Sequence, residues 1–146
     1  MAGMAQGSPE WLDARCGKVT ASRVADVLAL RKDGKPRAER EAYLMELVSE
    51  RLTGLATQHY LTAAMLEGSE REPQAADAYA FLHGVDVERV GFVDHPTIAM
   101  AGASPDRLVG TDGLVEFKCP TLRTHLETLL AGEIPEEHRP QMRWQM

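Results

Sequence analysis

Apolar and polar positions along the chain alternate between a helical period and short strand-like runs. SPEWLDARCG opens with Ser8 as an N-cap and Pro9 at the first helical position, with Trp11 and Leu12 as anchors and Gly17 as the stop. Thr20 is placed to cap a second helix, ASRVADVLAL, whose Val24, Val27 and Leu28 share a face. After the polar loop RKDGKPR, the spacing predicts a longer helix, AEREAYLMELVSERLTG, burying Tyr43, Leu44, Leu47, Val48 and Leu52 and ending at Gly54. From Thr62 to Gly84 the pattern is helical again, but Pro73 lies inside it. An interior proline costs about 3 kcal/mol, so a kink is expected, or a new helix with Glu72 near its first turn.

VDVERVGFV reads as a strand with a bulge at Glu88-Arg89, because its valines change phase there. His95-Pro96 turns the chain into the apolar run IAMAGA. Asp112-Gly113 then signals a reversal into VEFKC, so the two runs form a hairpin. TLRTHLETLLAG predicts a helix on Leu122, Leu126, Leu129 and Leu130, and IPEEHRPQMRWQM begins another. The order α-β-β-β-α implies a mixed α/β layer fold.

The hairpin carries the candidate chemistry. In a strand, side chains alternate, so Val115, Phe117 and Cys119 face the core while Glu116 and Lys118 face the other way. The turn brings Asp106 near Glu116. Two carboxylates in one place repel unless a cation lies between them, and an all-oxygen site suits Mg²⁺ or Mn²⁺. Lys118, roughly 7 Å along the same face, is placed to orient a water or offset charge on a phosphate oxygen. On spacing alone, such charges are more often a solvated hairpin face.

Length and charge narrow the classes. At 146 residues the chain is expected to be a single domain, 1–146, without a membrane-spanning run. MAGMAQGSPEW lacks the basic and apolar regions of a signal peptide, which implies a cytoplasmic protein. Cys16 and Cys119 form no CxxC pair and read as buried thiols, not a disulfide framework or zinc site, and the five histidines make no i, i+4 pair and read as structural or exposed. A net charge of −6 excludes a protein that coats nucleic acid by bulk attraction. The charge is nevertheless uneven: between Ala14 and Arg40 eight bases face three acids, a local +5 that leaves −11 elsewhere. This suits a chain that holds a phosphate backbone with one part and cuts it with another, although solvated helix faces produce the same asymmetry.

Four ordered blocks carry a family resemblance: W-x3-R-x-G before Thr20-Ala21-Ser22, G-x3-E-P-x-A-x3-Y over Gly68–Tyr79, SPD followed by VEFKCP, and a terminal helix with Gln141. Together they resemble the lambda-exonuclease branch of the PD-(D/E)xK nucleases. The resemblance implies a restriction-endonuclease-like core, a central mixed sheet flanked by helices. It also implies Mg²⁺ (or Mn²⁺) on Asp106, Glu116 and the Phe117 carbonyl, with Glu72 facing the metal site, Lys118 catalytic, and Gln141 near the attacking water. Arg15, Thr20 and Ser22 become DNA-phosphate contacts, Arg15 at a terminal 5′-phosphate. The implied activity is 5′-to-3′ exonucleolytic digestion of double-stranded DNA in phage-type recombination. An endonuclease of the same fold and an inactive DNA-end-binding fragment stand as alternatives. The implied partners are duplex ends, a single-strand annealing protein, and further copies of the chain in a ring trimer, with no membrane. Relatives continue beyond the equivalent of Met146, so the C-terminal part of the family domain is expected to be missing.

Overall fold

A computed structural model describes residues 4–146. The chain divides into two compact units, one built from the residues up to Gln58 with Val90–Ser104 and Glu137–Met146, the other from His59–Arg89 with Pro105–Glu136.

The first unit begins with α1 (Pro9–Arg15), where the Ser8 hydroxyl accepts the Trp11 amide at 3.2 Å. Gly17, with φ +69°, turns the chain into the short strand β1 (Val19–Thr20). A side chain at Gly17 would collide with Arg51, its Cβ 2.6 Å from that residue's Cγ. The expected second helix is shorter than its sequence pattern: a 3-10 turn (Ala21–Arg23) leads into a single turn of α2 (Val24–Val27). Thr20 makes no side-chain cap there, because its hydroxyl is turned towards Arg15 and Ser22. α3 (Ala38–Thr53) ends at Gly54 in the left-handed conformation, as its sequence requires. Its buried side chains are Tyr43, Leu47 and Glu50, whereas Leu44, Val48 and Leu52 are exposed. The helix therefore buries a narrower stripe than its leucines predict, and a carboxylate sits at its end.

β3 (Val93–Asp94) and β4 (Ala101–Ala103) complete this unit's sheet, in the order β1-β4-β3, with β1 parallel and β3 antiparallel to β4. IAMAGA contributes only its last three residues to a strand. The amides of Thr97 and Ile98 are taken by the His95 ring at 3.2 and 2.9 Å, and Met100 has φ +58°, so neither the ladder nor an extended path is available before Ala101. α6 (Arg139–Gln145) packs on the 3-10 turn and α2, and Trp144 Nε1 donates to the Gly102 carbonyl at 3.1 Å.

In the second unit α4 (Ala63–His83) is capped by Thr62 and runs unbroken through Gly68 and Pro73. No new helix starts at the proline, and Glu72 lies mid-helix. On either side of the proline the helix faces the segment after β6: a Cβ at Gly68 would meet the Cys119 carbonyl at 3.5 Å, and Tyr79 meets the Phe117 ring edge-on at 5.9 Å. The sheet is antiparallel, in the order β2-β5-β6, from β2 (Val87–Glu88), β5 (Arg107–Val109) and β6 (Gly113–Val115). α5 (Leu122–Ala131) follows, ending at a left-handed Gly132.

Two strand expectations are thereby corrected. VDVERVGFV is not one bulged strand, because β2 and β3 belong to different sheets. The motif hairpin pairs Arg107–Val109 with Gly113–Val115 rather than IAMAGA with VEFKC, and β6 stops before Glu116 because the Phe117 amide goes to the Asp106 carboxylate instead of a ladder carbonyl. The mixed α/β class holds, its strands shared between two three-stranded sheets. Among the described residues no helix is long and apolar enough to cross a membrane.

Glu50 tests what fastens the first unit. It is 8% exposed, and its two oxygens accept the Gly17 and Thr57 amides, both at 2.7 Å. Glu50→Ala is expected to lower stability by about 3 kcal/mol, since a hydrogen bond to a charged group contributes 1.5–3. Leu52→Ala, at a side chain that is 82% exposed, is expected to cost under about 0.5 kcal/mol. Urea midpoints at unchanged slope measure both, and equal effects would refute this account of the core.

Candidate active site

The β5–β6 hairpin and α4 assemble a carboxylate cluster in the second unit. Arg107 is in register with Val115, and the register continued by one sets Asp106 across from Glu116. Asp106 is 9% exposed, and its Oδ2 accepts the Phe117 amide at 2.6 Å. Glu116 and Lys118 meet on one side, Nζ to Oε1 at 2.8 Å, while Phe117 turns the other way onto Tyr79. From α4, Glu72 reaches Arg107, whose Nη1 donates to Glu72 Oε1 at 2.8 Å and to the Asp106 carbonyl at 2.5 Å.

Electrostatics make Asp106 the unusual member. Its carboxyl is pushed up to about 6, first by burial and then by the charge of Glu116, against which the Phe117 amide works. Glu72 adds to the rise and Lys118 opposes it. Burial also raises the Cys119 thiol, with Glu72 and Asp106 contributing. The donors are hard oxygens whose mutual repulsion a divalent cation would relieve, so the set fits such an ion. Yet among the described residues no group of three or more His, Cys, Asp or Glu side chains stands ready to hold a metal. Glu116 leans on Lys118 and Glu72 on Arg107, and of the two glutamates Glu116 acts more strongly on Asp106. Sequence reasoning missed Arg107. The only signal was its place beside Asp106 in SPDR, and its reach to α4 is invisible in one dimension.

Arg15, Thr20, Ser22 and Gln141 lie in the first unit. The Arg15 guanidinium stacks 4.0 Å above the Trp11 ring and points Nη2 at Thr20 Oγ1, 3.4 Å away, with the Ser22 hydroxyl 3.3 Å beyond that oxygen. Burial lowers the Arg15 pKa, which the charges of Tyr43 and Glu50 partly offset. Arg15 is thus a partly desolvated cation beside two hydroxyls. Arg23 is different: it is spent on Asp26 at 2.6 Å and Glu46 at 3.1 Å, above the Tyr43 ring. Gln141 is carried by α6, the helix that packs on the 3-10 turn containing Ser22.

Residues 10–146 match the YqaJ-like viral recombinase domain. Two crystal structures are similar to the chain. One is LHK-Exo in complex with dAMP, at 50% identity and a TM-score of 0.84, covering 95% of this chain and 67% of that one. The other is an alkaline exonuclease (LHK-Exo) from Laribacter hongkongensis, at 49% identity and a TM-score of 0.83 with the same coverage. Among curated proteins none matches significantly. The match over nearly its whole length, and half-identity to a structure of the same fold, show that the chain belongs to the YqaJ-like viral recombinase family, the lambda-exonuclease-like nucleases of phage-type recombination.

Proposed function

We propose that the chain is a divalent-cation-dependent deoxyribonuclease that shortens double-stranded DNA from its 5′ ends. The observation that carries this reading is Asp106, a nearly buried carboxylate crowded by Glu116 with Lys118 alongside. The solved relative in complex with dAMP, a deoxynucleoside monophosphate of the kind an exonuclease releases, supports it. Asp106 and Glu116, with the Phe117 carbonyl, would hold the cation, Mg²⁺ or Mn²⁺, and Glu72 gives outer support. When bound, that ion supplies Lewis-acid chemistry, lowering the pKa of a water and offsetting charge on the phosphate. Lys118 exchanges its contact with Glu116 for a phosphate oxygen or the attacking water. Hydrolysis adds water across one P–O bond: the water oxygen joins phosphorus, its proton passes to solvent, and the 3′ oxygen leaves and is protonated. Arg15, Thr20 and Ser22 take the phosphate of the 5′-terminated strand. The same proposal includes a single-strand annealing partner and a ring of three copies, which the sequence resemblance implies, and a cytoplasmic setting.

The deciding experiment follows degradation of linear and of closed circular duplex with Mg²⁺. Loss of the linear form alone is expected, and nicking of circles at a comparable rate would replace the exonuclease with an endonuclease.

Asp106→Asn, Glu116→Ala and Lys118→Ala are each expected to lower that degradation at least about 10²-fold, the scale for removing one group that stabilises transition-state charge. Circular dichroism should show the fold retained. A Lys118→Ala protein at full rate would remove Lys118 from the mechanism.

The raised carboxyl of Asp106 has a pH signature. Its folded pKa of about 6 lies above the unfolded value, so the folded state binds the proton more tightly and this group's contribution to stability falls as pH rises from about 4 to 6. In EDTA, the stability of the unsubstituted protein relative to Asp106→Asn should drop by roughly 2–3 kcal/mol across that window. Cation affinity should climb over the same range and level off above it. Parallel urea curves for the two proteins from pH 4 to 7 would contradict the crowding.

Arg15 separates end recognition from general cutting. A terminal phosphate bears more charge than a diester, and an arginine fork gains about 1.5–3 kcal/mol from a charged hydrogen bond. Arg15→Ala is expected to erase a preference for 5′-phosphorylated over 5′-hydroxyl ends, and Arg15→Lys to rescue it poorly. Equal rates on both ends in the unsubstituted protein would remove the 5′-phosphate pocket.

A further inference from the structure

Each carboxylate beside Asp106 has an internal cation, but the two cations differ in freedom. The Lys118 side chain is 39% exposed, two residues from Glu116, and can swing away. The Arg107 side chain is 6% exposed and anchored twice, by Glu72 Oε1 at 2.8 Å and by the Asp106 carbonyl at 2.5 Å. Arginine stays charged at any ordinary pH, and a buried guanidinium left without its carboxylate is costly. Glu72 is therefore already committed. This is consistent with the lack, among the described residues, of three acidic or His/Cys side chains gathered to hold a metal.

We propose that Arg107 is a positioning residue that competes with divalent cations for Glu72. It keeps that carboxylate out of the resting site, which takes one cation on Asp106 and Glu116 and a second only when Glu72 is drawn away from Arg107. The inference rests on the metal-site reading above and adds a limit on occupancy to it. Apparent affinity for the second cation is reduced by the small fraction of molecules in which Glu72 is free. Arg107 thus sets the cation concentration at which the site fills, without itself touching metal or DNA.

The test is calorimetric titration of Mn²⁺ into the full chain without DNA, for the unsubstituted protein, Arg107→Gln, Arg107→Lys, Asp106→Asn and the double variant Arg107→Gln/Glu72→Gln. Glutamine keeps the length and hydrogen-bonding capacity of arginine but gives up its charge. One Mn²⁺ per chain is expected for the unsubstituted protein, and two for Arg107→Gln, with overall affinity up by about tenfold. Arg107→Lys should show a smaller gain, and the double variant should return to one ion. A merely structural arginine would instead give weaker binding in Arg107→Gln, and equal or weaker binding there overturns the proposal. If Arg107→Gln does not fold, as judged by circular dichroism, Arg107→Lys decides: tighter binding supports the competition and unchanged binding overturns it. If the unsubstituted protein binds no Mn²⁺, or Asp106→Asn binds as well as it does, the metal-site reading fails and takes this inference with it. Binding that needs Asp106 but ignores Arg107 sinks the inference alone.

Discussion

The site rests on a carboxylate, Asp106, that has lost most of its water and sits among like charges. Its one direct hydrogen bond given by the backbone is the Phe117 amide, at 2.6 Å, and this bond does not offset burial and the charge of Glu116. The same bond has a structural effect. By taking the Phe117 amide it ends β6 at Val115 and frees the next residues to present Glu116 and Lys118 on one side and Phe117 to α4 on the other. A single electrostatic choice thus sets both the shape of the hairpin end and the crowding of its carboxylates.

Around that choice the chain uses cations sparingly. Glu116 is matched by Lys118 and Glu72 by Arg107, so Asp106 is the member of the cluster without an ion-pair partner among the described residues. Isolated surface pairs contribute little, but a pair as sheltered as Arg107–Glu72 fixes geometry, because separating it strands a charge away from water. Arg15 shows the opposite arrangement, a sheltered cation whose neighbours are a ring and two hydroxyls.

Polar ties position the first unit as much as its apolar core does. Its buried apolar residues are Ala21, Val24, Tyr43, Leu47 and Ala101, a group rich in small side chains. Glu50 joins Gly17 to Thr57, Tyr43 Oη accepts the Thr20 amide, and Trp11 Nε1 donates to Ser104. These bonds hold the turn that carries Arg15 and Thr20 where apolar area alone is limited. The leucines of α5 remain exposed in the second unit, from 49% at Leu126 to 89% at Leu130, although their spacing is that of a core stripe.

What the sequence determined by itself is what depends on neighbours a few residues away. The cap at Ser8, the left-handed stops at Gly54 and Gly132, and the turn that brings Asp106 back to Glu116 are local, because backbone conformation and nearby hydrogen bonds decide them. The mixed α/β class and the family followed from the order of such pieces. Tertiary structure decided the rest. α4 continues through Pro73, which the local cost of an interior proline argues against. β2 and β3, adjacent in sequence, join different sheets because their partners lie far along the chain. Leu44 and Leu52 are exposed since none of the described elements covers that side of α3, and Arg107 finds Glu72 across 35 residues of sequence. Periodicity states which residues can share a face, but not what, if anything, will cover it, since burial and ion pairing are properties of the partner as much as of the residue.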